Sequence, residues 1–365
     1  MNDLFYRVAL TKVPKVGAII TKTLIGNLGS AEAVFKASKK TLMSIPNVGE
    51  AIAVEILKQD VLKWAEKEVA FIEKNEIKVL FHTAPEYPNR LKQQHDCPAL
   101  LYYKGTADLN HGRIVSIVGT RKPTPYGVRM CEEITEGLKS HNVLIASGLA
   151  YGIDVTAHRK SYEKDIPTVG VMGNGLQRIY PSEHREIAQK MCENGGLLTE
   201  YPSDQEPDRE HFPMRNRIIA SMCDALVVVE TGAKGGSMIT AHMGADYGKE
   251  LFAVPGKVGD KMSLGCNSLL KKRKAYLLES ADDIAAVLRW DELDTKKVVQ
   301  PQLFVELSDN EQVIVNILQA SVDGVLIDSL SYQTQLGHSV IAGLLLKLEF
   351  KGLIRSLPGK RYSLI

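Results

Sequence analysis

The sequence predicts an α/β protein: a parallel sheet covered by helices on both faces, with a helical region before it and a small helix-and-hairpin module after it. Three observations predict this. Between 111 and 290, short apolar runs alternate with helical patterns, as a buried parallel sheet with helical crossovers requires. Before 70 the chain reads as helices broken by turns. After a polar, patternless stretch at 291–307, helical periodicity returns and ends in a hairpin pattern over 308–365.

Composition bounds the function. At 365 residues the chain is long enough for two or three domains. A hydrophobic fraction of 44% and a charged fraction of 24% are those of a soluble globular protein. The net charge is only +2, so nucleic-acid binding requires local basic patches. Cys97, Cys131, Cys192, Cys223 and Cys266 are scattered without a CxxC pair, which argues for reduced thiols and against a disulfide framework or a zinc site. The opening MNDLFYRVALTKVPKVG has no secretory core, and no apolar stretch is long enough to span a membrane, so a cytoplasmic protein without membrane contact is expected.

The region 1–70 holds a weak internal repeat, Val13-Pro14-Lys15-Val16-Gly17 and Ile45-Pro46-Asn47-Val48-Gly49, each leading into an amphipathic run. The pattern is similar to the turns of helix-hairpin-helix modules, which hold nucleic-acid backbones through loop N–H groups. The second glycine of such turns is replaced by Ile19 and Ala51. A small helical bundle packed on the rest is the alternative. The stretch 71–110, with Pro85, Pro88 and Pro98 ahead of LLYYKG, reads as an extended connection leading into an edge strand.

In the central region 71–290, strands are expected at 114–118, 143–147, 168–172, 196–199, 225–229 and 251–254. Helices are expected at 126–140, 153–163, 183–192, 214–222 and 237–248. In the last region, Ser308-Asp309-Asn310-Glu311 is a capping box for a first helix. Asp328 can cap a second, and 338–350 forms a third. LIRSLPGKRYSLI then reads as a hairpin around Pro358-Gly359, which completes a winged-helix pattern. Its third helix is mostly apolar, with His338, Ser339 and Lys347 as its polar positions, so a protein-contact role stands beside duplex binding.

In a parallel sheet, ligands bind beyond the carboxyl ends of the strands, and the unusual residues gather there. Gly119-Thr120-Arg121 follows the first strand, and Ser147-Gly148 through Gly152-Ile153-Asp154 follows the second. Gly173-Asn174-Gly175 follows the third, Glu200 the fourth, and Glu230 with Gly235-Gly236-Ser237 the fifth. Glycines let a backbone approach a ligand closely. A strand, a Gly-rich turn and a helix start make an anion site, with Ser237 available as N-cap. Arg215 and Arg217 suggest more than one phosphate. GxGxxG fails after the first strand, and Arg178 replaces the third glycine after Gly173 and Gly175; no GxxxxGK[ST] occurs. No cofactor is therefore expected. Asp154 and His158 are spaced for one helix face, but no third metal ligand accompanies them, so a structural hydrogen bond or cap is preferred. Glu200 and Glu230 can pair as acid and base or hold Arg215 and Arg217 in place. Without a nucleophile, binding outranks catalysis.

Together, GTRKPTPYG, ASGLAYGIDVTAHR, GNGLQRIYP, HFPMRNRIIA, GGSMITA and VPG with GCNSLL resemble the DNA-processing protein A family (DprA, also called Smf), in family order across the central region. The resemblance implies an extended Rossmann-like fold, an N-terminal SAM-like domain and a C-terminal winged helix. It implies a homodimer that binds single-stranded DNA and loads the recombinase RecA during natural transformation. The implied DNA contacts are Arg121, Ser147, Gly148, Gly152, Gly173, Gly175, Arg209, Phe212, Arg215, Asn216, Arg217, Gly236 and Ser237. Gly119 and Asp154 join them at the strand ends, Asp154 rather as a loop organiser. Phe212 either stacks on a base or belongs to the core. Arg217 either takes a phosphate or pairs with a buried acid. Gly235 stands where the family often has Ser, and Arg273-Lys274 replaces the usual Gly-Ala; those two cations read best as solvated. The rival is a nucleotide-processing hydrolase similar to the nucleoside-monophosphate phosphoribohydrolases, whose PGGxGT signature is absent.

Overall fold

A computed structural model describes residues 3–290, 307–319, 325–351, 353–357 and 361–364. Most of the expected linker and the turn at Pro358 and Gly359 lie outside them. The chain forms two compact units, 1–290 and 291–365.

The first unit opens with six helices: α1 (Asp3–Lys12), α2 (Ala18–Leu28), α3 (Ala31–Lys36), α4 (Lys39–Met43), α5 (Glu50–Lys58) and α6 (Leu62–Lys74). The sequence repeat is a structural repeat. Lys15 and Asn47 both take left-handed backbone, with φ of 67° and 64°. Val16 and Val48 are both buried, and Gly17 and Gly49 cap α2 and α5 in extended conformation. These helices do not bury their apolar faces alone. Val8, Leu10, Ile56 and Ile72 share a core with Phe81, Leu100 and Tyr102.

Those last residues belong to β1 (Lys78–Phe81) and β2 (Leu100–Gly105), joined through the short α7 (Asn89–Lys92). The connection expected at 71–110 is thus structured. Tyr87 is fully buried and donates to the carbonyl of Pro98 at 2.7 Å. Arg90 grips Asp224 through Nε at 2.6 Å. LLYYKG is not at the edge: β1 covers it on one side, and both strands run antiparallel to their neighbours.

The remaining strands are β3 (Ile114–Val118), β4 (Leu144–Ser147), β5 (Thr168–Val171), β6 (Gly195–Thr199), β7 (Ala225–Val228), β8 (Glu250–Ala253) and β9 (Tyr276–Leu277). They complete a nine-stranded sheet in the order β1-β2-β6-β5-β4-β3-β7-β8-β9, parallel from β6 to β9. The sheet is therefore mixed, mostly parallel and Rossmann-like. β3 illustrates why its strands read as continuous apolar runs. Ile114 and Val118 face one core and Val115 and Ile117 the other, following the two-residue period of a strand. Each fully buried side chain of this size contributes about 1.5–3 kcal/mol.

Helices α8 (Pro125–Gly137), α9 (Ile153–Glu163), α10 (Arg185–Met191), α11 (His211–Ser221), α12 (Gly236–Asp246), α13 (Leu264–Lys271) and α14 (Ala281–Val287) cover the two faces. α8, α9 and α14 lie over one, and α11 and α12 over the other. Thr124 caps α8 by accepting from the Gly127 amide at 3.2 Å.

The second unit contains α15 (Asp309–Gln319), α16 (Ile327–Thr334) and α17 (His338–Phe350), with β10 (Val325–Leu326) pairing β12 (Arg361–Leu364) and β12 pairing β11 (Ile354–Leu357). This is a winged helix. Glu311 reaches back to the Ser308 amide at 2.9 Å, one half of the expected capping box, while the Ser308 hydroxyl donates to the same carboxylate at 3.1 Å. Asp328 does not cap α16: Leu326 holds that position, and Asp328 lies within the first turn. Val340, Leu346 and Phe350 on α17 are exposed.

His158 on α9 makes one feature of the core testable. It is fully buried, its Nδ1 lies 2.7 Å from Thr168 Oγ1, and its Nε2 has no hydrogen-bond partner among the described residues. Burial pushes its pKa down from 6.5 to about 3. The unfolded chain therefore binds a proton that the native state refuses. Stability is complete above 6.5 and should fall with pH below it, by about 1.4 kcal/mol per unit from this group. Urea denaturation between pH 7 and 4.5 should give a flatter profile for His158→Gln than for the wild type.

Candidate nucleic-acid interface

A shallow cleft opens at the carboxyl ends of β3, β4 and β5. Its wall comes from Gly148 to Tyr151, its floor from Met172, Gly173 and Arg215, and its rim from Arg121, Tyr180, Pro181 and Phe212.

Gly152 shows why the loops converge. With φ of 79° it starts α9, and a Cβ there would lie 2.2 Å from the Thr120 carbonyl oxygen. Only glycine lets the β3 and β4 loops touch. The Ile153 amide donates to that same carbonyl at 3.2 Å. Glu230 fixes the other side of the Arg121 loop. It is buried, and accepts from the Thr124 amide at 2.8 Å and the Thr124 hydroxyl at 2.6 Å. It holds this loop, not an arginine. Arg121 itself is exposed, with its guanidinium 5.5 Å from the centre of the Phe212 ring.

Phe212 lies in the first turn of α11, half-buried above Gly173, whose Cβ position is 3.0 Å from the ring. Tyr180 stacks on it at 5.8 Å and 27°. Arg215, one turn further on, donates to the Val171 carbonyl and, through Nε, to Asn216 at 3.2 Å. Burial lowers its pKa to about 10, against the pull of Asp154, so it keeps its charge at neutral pH. Burial raises the Asp154 carboxyl, while Arg215 and the Ala150 amide lower it. Asp154 thus organises the β4 loop beneath Arg215. It does not pair with His158, whose hydrogen bond goes to Thr168. A Cβ on Gly148 would press within 2.7 Å of both the Arg215 guanidinium and the Asp154 carboxylate.

Arg217 stands two positions after Arg215, roughly 200° around the helix. It lies behind the cleft, buried against Glu200, and donates to the Asp96 carbonyl at 2.6 Å. Ser147 is also buried, donating to the Ile117 carbonyl at 2.5 Å. Gly119 packs against Ile153, and Gly175 against the backbone of Pro202 and Ser203. Arg209 is exposed ahead of α11. Gly236 and Ser237 do not line this cleft. Ser237 is not a cap either: Gly235 occupies that position, and Ser237 donates to Thr231 at 2.8 Å.

The structure thus brings Arg121, Gly148, Gly173, Phe212 and Arg215 to one cleft, with Gly152 and Asp154 shaping its loops. It adds Tyr180 and Tyr151, absent from the candidate list. Tyr151 is exposed on the wall and packs edge-on to His184 at 5.0 Å. An exposed aromatic in each Gly-rich loop was the available signal. The acids of the hydrolase reading are engaged elsewhere, Glu230 by Thr124 and Glu200 by Arg217. Among the described residues no cluster of metal-ligating groups occurs, and no helix is long and apolar enough to cross a membrane.

A Rossmann-like sheet with a cleft over its strand ends, on a chain that also carries a winged helix, defines a class of α/β proteins. The chain belongs to the DNA recombination-mediator protein A family, whose description matches residues 78–289; residues 300–360 match the DprA winged helix domain. It is 40% identical to the DNA processing protein DprA of Bacillus subtilis (strain 168) over 203 residues, 55% of this chain and 68% of that protein. It is 29% identical to Protein Smf of Synechocystis over 99% of both chains. In structure it is similar to DNA processing protein A of Streptococcus pneumoniae, with a TM-score of 0.67 and 29% identity over 78% of this chain and 98% of that one. It is also similar to the Helicobacter pylori protein, described for its single-stranded DNA binding mode, with a TM-score of 0.54 and 29% identity over 59% and 97%.

Proposed function

We propose that this recombination mediator holds single-stranded DNA in the cleft, as a non-enzymatic homodimer in the cytoplasm, and delivers it to the recombinase RecA during natural transformation. The observation that carries the reading is the Arg121–Phe212–Tyr180 rim above the buried Arg215 guanidinium. An exposed cation takes a phosphate, and an aromatic face takes a base regardless of its identity. The family membership and the single-strand binding described for the Helicobacter pylori relative support it. A duplex hides its base faces and is too stiff to enter, so selectivity for single strands follows. Arg209, Asn216, Gly236 and Ser237 extend the proposed footprint along the strand edge. The apolar face of α17 suits the winged helix to contact with protein.

The test is a titration of labelled oligonucleotides, single-stranded against duplex, at two salt concentrations. Single strands should bind more tightly, with little sequence preference. Arg121→Ala should weaken binding, leave the melting temperature unchanged, and reduce the slope of log K against log salt by about 0.7 for the lost phosphate contact. An unaltered slope removes Arg121 from the site, and equal affinity for duplex overturns the reading.

A further inference from the structure

We infer that Glu68, on α6 of the N-terminal helical module, is a positioning residue for the aromatic platform of the cleft. The inference rests on reading the cleft as a single-strand site.

Glu68 is 2% exposed, and its carboxylate accepts from the Ser203 amide at 2.8 Å and from the Ser203 hydroxyl at 2.5 Å. Beside it, the Trp64 indole N–H donates to Asp204 at 2.8 Å. Burying a carboxylate between a helix and a loop is a costly way to hold an interface, since apolar packing would do so without desolvating a charge. What the carboxylate adds is a fixed backbone position, because one of its two bonds is to a main-chain N–H.

That position is transmitted. The carbonyls of Pro202 and Ser203 lie 2.0 and 2.3 Å from where a Cβ on Gly175 would stand, and the Gly175 amide donates to the Gln205 carbonyl at 2.9 Å. The 202–205 backbone therefore lies directly on the β5 loop. Two residues earlier in that loop, Gly173 supports the Phe212 ring. The path runs from Glu68 through Ser203 to Gly175 and Gly173, and so to Phe212. A close-packed path of this kind transmits strain from one end to the other.

The experiment uses the full chain and a labelled oligo-dT single strand. Glu68→Ala should raise Kd roughly 2- to 30-fold. Glu68→Gln, whose amide can accept from the Ser203 N–H and donate to its hydroxyl, should bind close to wild type. In a Phe212→Ala background, Glu68→Ala should add little, because the platform it positions is gone; a merely structural role predicts additive losses. If Glu68→Ala does not fold, Glu68→Met fills the same volume without an acceptor for the Ser203 amide and should still raise Kd. An unchanged Kd in a folded variant, or full additivity with Phe212→Ala, overturns the coupling while leaving the cleft reading intact. Failure of the wild type to bind single strands overturns the cleft reading itself, and the inference with it.

Discussion

Arg217→Ala is expected to cost about 3–5 kcal/mol of stability, because it leaves a mostly buried acid without its counter-charge. Arg217 is 8% exposed, and its guanidinium bonds Glu200 and the Asp96 carbonyl. Burial already raises the Glu200 carboxyl and Arg217 opposes that rise, while Glu200 Oε1 has no hydrogen-bond partner among the described residues. Removing the arginine strands the whole carboxylate. Urea denaturation reads the loss directly. The deficit should shrink as pH falls, since Glu200 then protonates and stops paying for a buried charge. Single-strand affinity of the folded variant should stay near wild type. A variant that is stable but binds poorly would place Arg217 on the DNA instead.

Phe212→Ala should weaken single-strand binding by about 1–3 kcal/mol, the usual worth of one stacked base. Phe212→Tyr should cost little, because the π face is kept. Tyr180 stacks on Phe212 and is exposed, so Tyr180→Ala should lose part of the same affinity. The double variant should lose less than the sum, since the two rings act as one platform. Fluorescence anisotropy at fixed salt measures all three. A fall in melting temperature with intact affinity would make Phe212 a core residue.

These two arginine and aromatic cases mark how far the site was legible. The glycines of the strand ends were readable because close approach of two loops admits no side chain, as Gly152 and Gly148 show. The motif HFPMRNR announced a polar cluster in an apolar setting. It did not say which cation enters the cleft, because the direction a helical side chain takes depends on which face is buried. Tyr180 follows the Gly173–Gly175 loop in the sequence, but only the fold stacks it on Phe212. The LLYYKG strand was misplaced at the edge because pairing partners are non-local.

What the sequence determined by itself was the alternation of elements. Ile114–Val118, Ile153–Glu163 and His338–Phe350 begin and end where apolar period, glycine and capping residues say they should. Such signals are local, carried by neighbouring residues along the chain. Only the tertiary structure decided partners. It set Arg215 above Asp154 and Arg217 against Glu200, gave Glu230 to Thr124, and moved the Gly236–Ser237 turn away from the cleft. Each of those outcomes depends on residues distant in sequence meeting across the sheet, where a charge is neutralised by whichever group packing brings within reach.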